Sequence, residues 1–253
     1  MRNVIILGSG RSGTSMVAGV LANCGYYMGE NLHPGRDSNP KGFFESPLIN
    51  WINEELLAQV VPRRPPILGR WWFRDRPLPR QRWLARVPVG TLIPCPHPIA
   101  TRIQAQVDRT PFCFKDPRFS YTLPAWRPYL ADTVFVCVFR HPMATAASIV
   151  KECQAMPYLR NLRMNTESAV EVWALMYEHI LRRHRQEGQW LFLHFDQVLR
   201  GNGADRLEEF IGAPVDRSFP ETELQRSAAS GTGPTAVMQV YQELCTQAGC
   251  EQG

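Results

Sequence analysis

Asn3-Val-Ile-Ile-Leu-Gly-Ser-Gly-Arg-Ser-Gly-Thr-Ser15 opens the chain and decides its architecture. Asn3–Leu7 is an apolar, mostly β-branched run without polar alternation, which is how a strand buried on both faces reads. Gly8 to Gly13 break that run and a helical pattern starts near Thr14, so the segment predicts strand, glycine-rich turn, helix. In this context the N–H groups of the turn and the helix N-terminus form a concave anion site. Against the phosphate-binding pattern G-x-x-x-x-G-K-[ST], both glycines and the final Ser are present. Thr14 stands where the Lys belongs, and Arg11 is the cation available inside the turn.

Working outward, Leu48, Ile49, Trp51, Ile52, Leu56, Leu57 and Val60 recur at helical spacing, which predicts a helix over 47–60 packed on a core, with Pro47 in its first turn. Phe112–Lys115, Val134–Phe139 and Trp190–Phe195 read as three further strands bounded by turn signals. Thr166–Glu187 reads as a helix with a Ser168-x-x-Glu171 capping box and Gly188 beyond its end. A helix over Ala204–Ile211 ending at Gly212 and one over Thr235–Gln247 complete the pattern. Strands alternating with helices predict an α/β fold: a three-layer sandwich with a central, mostly parallel sheet, resembling the P-loop NTPases. We expect one domain over 1–253.

Residues 62–98 have a different texture. Pro recurs at 62, 65, 66, 77, 79, 88, 94, 96 and 98, among eight Arg and Trp71, Trp72 and Trp83. So much Pro excludes long regular elements. The segment reads as an irregular insertion with a short helix around Gln81–Val87. It is either a solvated excursion or dimer contact, or a cap on the acceptor side of a site.

Of the 253 residues 44% are hydrophobic and 20% charged, which excludes collagen-like and disordered classes. No apolar run approaches the roughly 18 to 20 residues of a membrane span. The five-residue run after Arg2 does not read as a secretory leader, so the expected address is cytoplasmic. Seven Cys without a CxxC pair or a zinc spacing read as reduced thiols, and no metal site is expected. The net charge of +5 suits an anionic ligand or nucleic acid equally. Its 28 basic residues include only three Lys; genome composition explains such a bias, and bidentate anion recognition is the functional alternative.

A second anion element appears at Val136-Cys-Val-Phe-Arg140-His-Pro-Met-Ala-Thr-Ala-Ala-Ser148. Arg140 ends a strand, where open parallel sheets bind ligands, and Ser148 falls two turns into the next helix. Together the two segments resemble the sulfotransferases that use 3′-phosphoadenosine 5′-phosphosulfate (PAPS). The resemblance extends to Asn39-Pro-Lys-Gly-Phe-Phe-Glu-Ser46 and Lys115-Asp-Pro-Arg118. It departs at Phe195-Asp196, where the family more often has Tyr-Glu, and fades past about residue 215.

The resemblance implies that Gly10, Arg11, Ser12, Gly13, Thr14 and Ser15 hold the sulfate-bearing end of the co-substrate, and that Arg140 and Ser148 hold the 3′-phosphate. It implies in-line, metal-independent sulfuryl transfer to a hydroxyl or amine of a small-molecule or sugar acceptor, leaving 3′-phosphoadenosine 5′-phosphate (PAP). Arg11 would stabilise charge on the transferring group, and Glu45 matches the position of the family's base, with His33, His97 and Asp116 as reserves. Asp116 and Arg118 also read as a buried pair fixing a strand end. Two other classes remain open. Lys115-Asp116 resembles a weak Walker B, which fits a P-loop nucleotide or small-molecule kinase. The Arg/Trp insertion would fit a noncatalytic nucleotide or nucleic-acid binding protein, although its prolines and the separate phosphate loop weigh against nucleic acid. Neither acceptor nor oligomeric state is legible.

Overall fold

The computed structural model describes residues 1–36, 39–66, 68–220 and 231–250. Its centre is a four-stranded parallel sheet of β1 (Asn3–Leu7), β2 (Cys113–Lys115), β3 (Thr133–Phe139) and β4 (Gln189–His194), in the order β2-β1-β3-β4. Ile5 pairs with Phe114 on one side and Phe135 on the other, so β1 is central. All five β1 residues are buried, as the unbroken apolar run requires. Alternation sends Ile5, Leu7, Phe135, Cys137 and Phe139 to one face, and Val4, Ile6, Val134, Val136 and Val138 to the other. The expected three-layer α/β architecture is present.

The first face packs against α2 (Pro47–Leu57), α4 (Phe119–Trp126), α5 (Pro142–Ala155), α6 (Thr166–Arg182) and α9 (Thr235–Ala248). The second packs against α1 (Thr14–Leu21) and α8 (Gly203–Ile211). A short α7 (Phe195–Arg200) follows β4 directly. Three helices were not legible in the pattern, the first being α7, whose Phe195 was expected to end the fourth strand but starts a helix after His194. Phe119–Trp126 is helical despite Pro124, and α3 (His97–Val107) begins inside the predicted insertion, with Pro98 in its first turn. Helix α6 ends five residues before the predicted stop and gives way to a 3-10 turn at His184–Gln186. Its capping box also lies one turn earlier: the Asn165 side chain accepts from the Ser168 N–H, and the Ser168 hydroxyl accepts from the Asn165 backbone N–H. Asn165 precedes the helical dihedrals, and an N-cap must lie outside them.

The insertion is irregular, with 3-10 turns at Leu68–Arg70 and Arg82–Leu84, but one end is anchored in the core; Ile67 lies outside the described residues. Trp83, Leu84, Ala85 and Val87 are buried, the Tyr121 hydroxyl donates to the Ala85 carbonyl at 2.8 Å, and Arg82 pairs with Glu54 of α2 at 2.9 Å. Leu68, Trp71 and Trp72 remain exposed. All seven cysteines are free thiols, four of them buried. Among the described residues no helix is long and apolar enough to cross a membrane.

Burial brings the His184 imidazole, bonded to the Ser120 carbonyl at 3.0 Å, down to about 3, and also lowers His179 and His194. The unfolded chain therefore takes up protons below about pH 6.5 that the folded chain refuses, so stability is complete above that pH and lost as pH falls. Chemical denaturation between pH 7 and 5 should show stability declining by about 1 kcal/mol or more per pH unit. In a His184→Gln variant that slope should become shallower.

Candidate functional site

The carboxyl ends of β1, β2 and β3 meet around the turn after β1. Gly8 has φ +138°, and a Cβ on it would lie 2.1 Å from the Val138 carbonyl oxygen, so only glycine lets β1 run this close to β3. The buried Tyr177 hydroxyl of α6 fixes this approach, donating to Val138 O at 2.7 Å and accepting from Ser9 N–H at 3.1 Å. Arg11 at φ +70° and Gly13 at φ +95° then curl the turn into a cup above α1. A Cβ on Gly13 would meet the Phe195 ring at 2.5 Å.

A cavity of about 540 Å³ opens on this cup. Gly10, Arg11, Gly13, Thr14, Ser15, Glu45, Arg140 and Ser148, all singled out in the sequence, line it together. Ser12 does not: its buried hydroxyl turns inward to Thr145 at 3.4 Å. The size lies within the usual range for a ligand site. Arg36 and Phe43 from the loop before α2, Trp51 of α2, Arg80 and Trp83 of the insertion, and Tyr158 complete one side of the wall.

Two features differ from the sequence reading. Arg11 reaches sideways, donating from Nε to the Ser148 hydroxyl at 3.1 Å and pairing with Glu152 at 3.7 Å. It thus joins the Arg140/Ser148 end, and the cation beside the foot of α1 is Lys115. That side chain is 2% exposed, donates to the Ser15 hydroxyl at 3.2 Å and pairs with Glu45. The parallel sheet puts the end of β2 beside the turn after β1, so an ammonium group from the neighbouring strand stands next to a turn that has no Lys of its own. The signal the sequence carries for Lys115 is its position at a strand end.

Arg140, 8% exposed, lies 4.6 Å over the Phe195 ring. Burial, opposed by Asp196 and helped by Arg11, lowers its pKa. Two guanidinium groups facing one recess favour an anion between them. The residues thus fit a ligand with anionic groups at two points: the cup with Lys115 at one, Arg11, Arg140 and Ser148 at the other. Phe195, a departure from the family pattern, lies beneath Arg140 and walls off the space behind Gly13.

Below the cavity lies a buried polar floor. Asp116, fully buried, accepts from Asn50 at 2.8 Å, Asn53 at 3.0 Å and Arg118 at 3.0 Å. Glu54 joins Arg118 to Arg82 of the insertion. The expected Asp116–Arg118 pair therefore exists and belongs to a larger network. Asn50 also donates to Glu45 and faces His33. His97, a reserve base, starts α3 and does not line the cavity. Among the described residues no group of three or more His, Cys, Asp or Glu side chains could hold a metal ion.

A family model described as "Sulfotransferase family" matches residues 3–217. The sulfotransferase domain of the Synechococcus PCC 7002 olefin synthase is similar in fold, with TM-score 0.55 and 16% identity over 99% of this chain and 95% of that one. The sulfotransferase domain from the curacin biosynthetic pathway gives TM-score 0.53 and 15% identity, covering 100% of this chain and 99% of its own. A sulfotransferase from Mycobacterium avium gives TM-score 0.53 and 15% identity over 99% of this chain and 77% of that one. A comparison with curated proteins finds no match.

Tyr177→Phe keeps the ring and leaves the Ser9 N–H and Val138 carbonyl without their hydroxyl partner in a buried setting. Denaturant titration should show a loss of about 1–3 kcal/mol. A change within a few tenths would mean that the hydroxyl does not brace the turn.

Proposed function

The chain belongs to the sulfotransferase family, and from that premise we propose that it moves a sulfuryl group from PAPS to a hydroxyl, or an amine, of a small-molecule or sugar acceptor. The observation that carries the reading is that the turn after β1 and the Arg140/Ser148 pair open into one cavity, with cations at two separate points. A nucleotide carrying both a 5′-phosphosulfate and a 3′-phosphate needs that arrangement. When bound, the co-substrate supplies an activated sulfuryl group on a phosphate leaving group.

The chain's own residues then bind and orient. The cup amides, Ser15 and Lys115 take the sulfate-bearing end, where negative charge grows on the leaving phosphate. Arg140 and Ser148 take the 3′-phosphate, and Arg11, bonded to Ser148, either shares that phosphate or swings back over the cup. Because a sulfate ester carries less charge than a terminal phosphate, the reading needs no metal. The wall with Trp51, Trp83 and Tyr158 faces the acceptor, which makes the insertion an acceptor-side cap within a single domain over 1–253. The kinase alternative lacks the loop Lys, and the network around Asp116 occupies the carboxylate a Walker B would present.

Calorimetric titration with PAP in the presence of a metal chelator tests the assignment. Wild type should bind, and Arg140→Ala should weaken binding at least about tenfold, the range for one charge-assisted contact. Equal affinity in the two proteins removes Arg140 from the site. Tight binding of ATP that requires Mg²⁺, with none of PAP, favours the kinase.

A further inference from the structure

The orientation of one buried amide can be deduced from groups that have no choice of role. The Trp126 indole N–H only donates, and it bonds Asn53 Oδ1 at 2.8 Å, so the Asn53 NH₂ faces Asp116. Arg118 also only donates, and it bonds Asp116 at 3.0 Å, so this carboxylate is an acceptor. Asn50 Nδ2 lies 2.8 Å from Asp116 and 3.1 Å from Glu45, and a flipped amide would aim its oxygen at both carboxylates. Asn50 Oδ1 therefore points to His33 Nε2 at 3.1 Å and can only accept. Nε2 must carry the hydrogen, so in the neutral ring Nδ1 keeps its lone pair. Among the described residues Nδ1 has no hydrogen-bond partner, and His33 lines the cavity beside Glu45. The His33 backbone N–H donates to the Glu45 backbone carbonyl at 2.9 Å, which ties the two residues together.

We propose that His33 is the general base of the transfer, held by Asn50 in the Nε2–H tautomer so that Nδ1 receives the acceptor's proton. The proposal rests on the sulfuryl-transfer reading above. In the step, the acceptor oxygen forms a bond to sulfur while its proton passes to Nδ1. The bond from sulfur to the bridging oxygen breaks, and its electron pair stays on the departing phosphate of PAP. The imidazolium formed is stabilised through Asn50 by Asp116 and Glu45.

Glu45, the base implied by resemblance, has both oxygens engaged, one by Lys115 and one by Asn50. Freeing it would strip a buried ammonium of its counter-charge, which is strongly unfavourable. Glu45 is better cast as the group that holds Lys115 against Ser15. The charged groups around His33 are Glu45 on its own loop, Asp116 beyond Asn50, Lys115 behind Glu45, and Arg36 and Arg80 on the cavity wall.

Two measurements on the full chain with PAP bound decide the matter. Nitrogen-15 NMR of the imidazoles, with His33 assigned by its loss in His33→Gln, should show the Nε2–H tautomer; an Nδ1–H ring overturns the proposal. PAP release from PAPS with water as acceptor should fall about 100-fold in His33→Gln, the order expected for a lost general base, while PAP affinity stays within about twofold. Added imidazole should partly restore PAP release in His33→Ala, which a merely structural role does not produce. Unchanged release in His33→Gln with intact PAP binding removes His33 alone. Failure of wild type to bind PAP removes the donor assignment and this proposal with it.

Discussion

The approach of β1 to β3 at Gly8 is the constraint on which the site depends. Without a side chain at that position the strand ends against the Val138 carbonyl, and Tyr177 closes the gap with two hydrogen bonds. The chain must then leave the sheet immediately, and the positive φ values at Arg11 and Gly13 turn its N–H groups toward the same side as the ends of β2 and β3. Parallel strands point every carboxyl end one way, so Lys115 and Arg140 both arrive beside the turn.

This convergence divides the charge. Cations ring the cavity, and the carboxylates near them are held in defined pairs: Glu45 with Lys115, Glu152 with Arg11, Asp116 and Glu54 with Arg118. Burying such groups is tolerable only because each finds donors of opposite charge or amide partners. Removing Glu54 would leave Arg82 and Arg118 facing one another, which makes this acid a structural hinge between insertion and core rather than a surface residue.

The insertion gains its order from outside itself. Proline denies it regular hydrogen bonding, so its carbonyls are taken by side chains of the core, Tyr121 at Ala85 and His179 at Val87, and by its own arginines, as when Arg64 bonds the Arg74 and Arg76 carbonyls. Arginine abundance in this stretch therefore serves backbone satisfaction at several positions, while Arg80 faces the cavity. Composition alone could not separate those two uses.

The parallel sheet, the turn after its first strand and the residues that gather around it were legible in the linear pattern, because burial of a strand on both faces and interruption by glycine are local properties. Seen only in three dimensions were the helix at Phe119–Trp126, whose Pro124 contradicts local propensity and whose buried side chains pack regardless, and the direction taken by Arg11. Hydrogen-bond roles were likewise invisible. Whether Glu45 or His33 holds an available lone pair depends on Lys115, Asn50, Asp116 and Trp126, which lie up to 93 positions from His33 along the chain and come together only when the strands align.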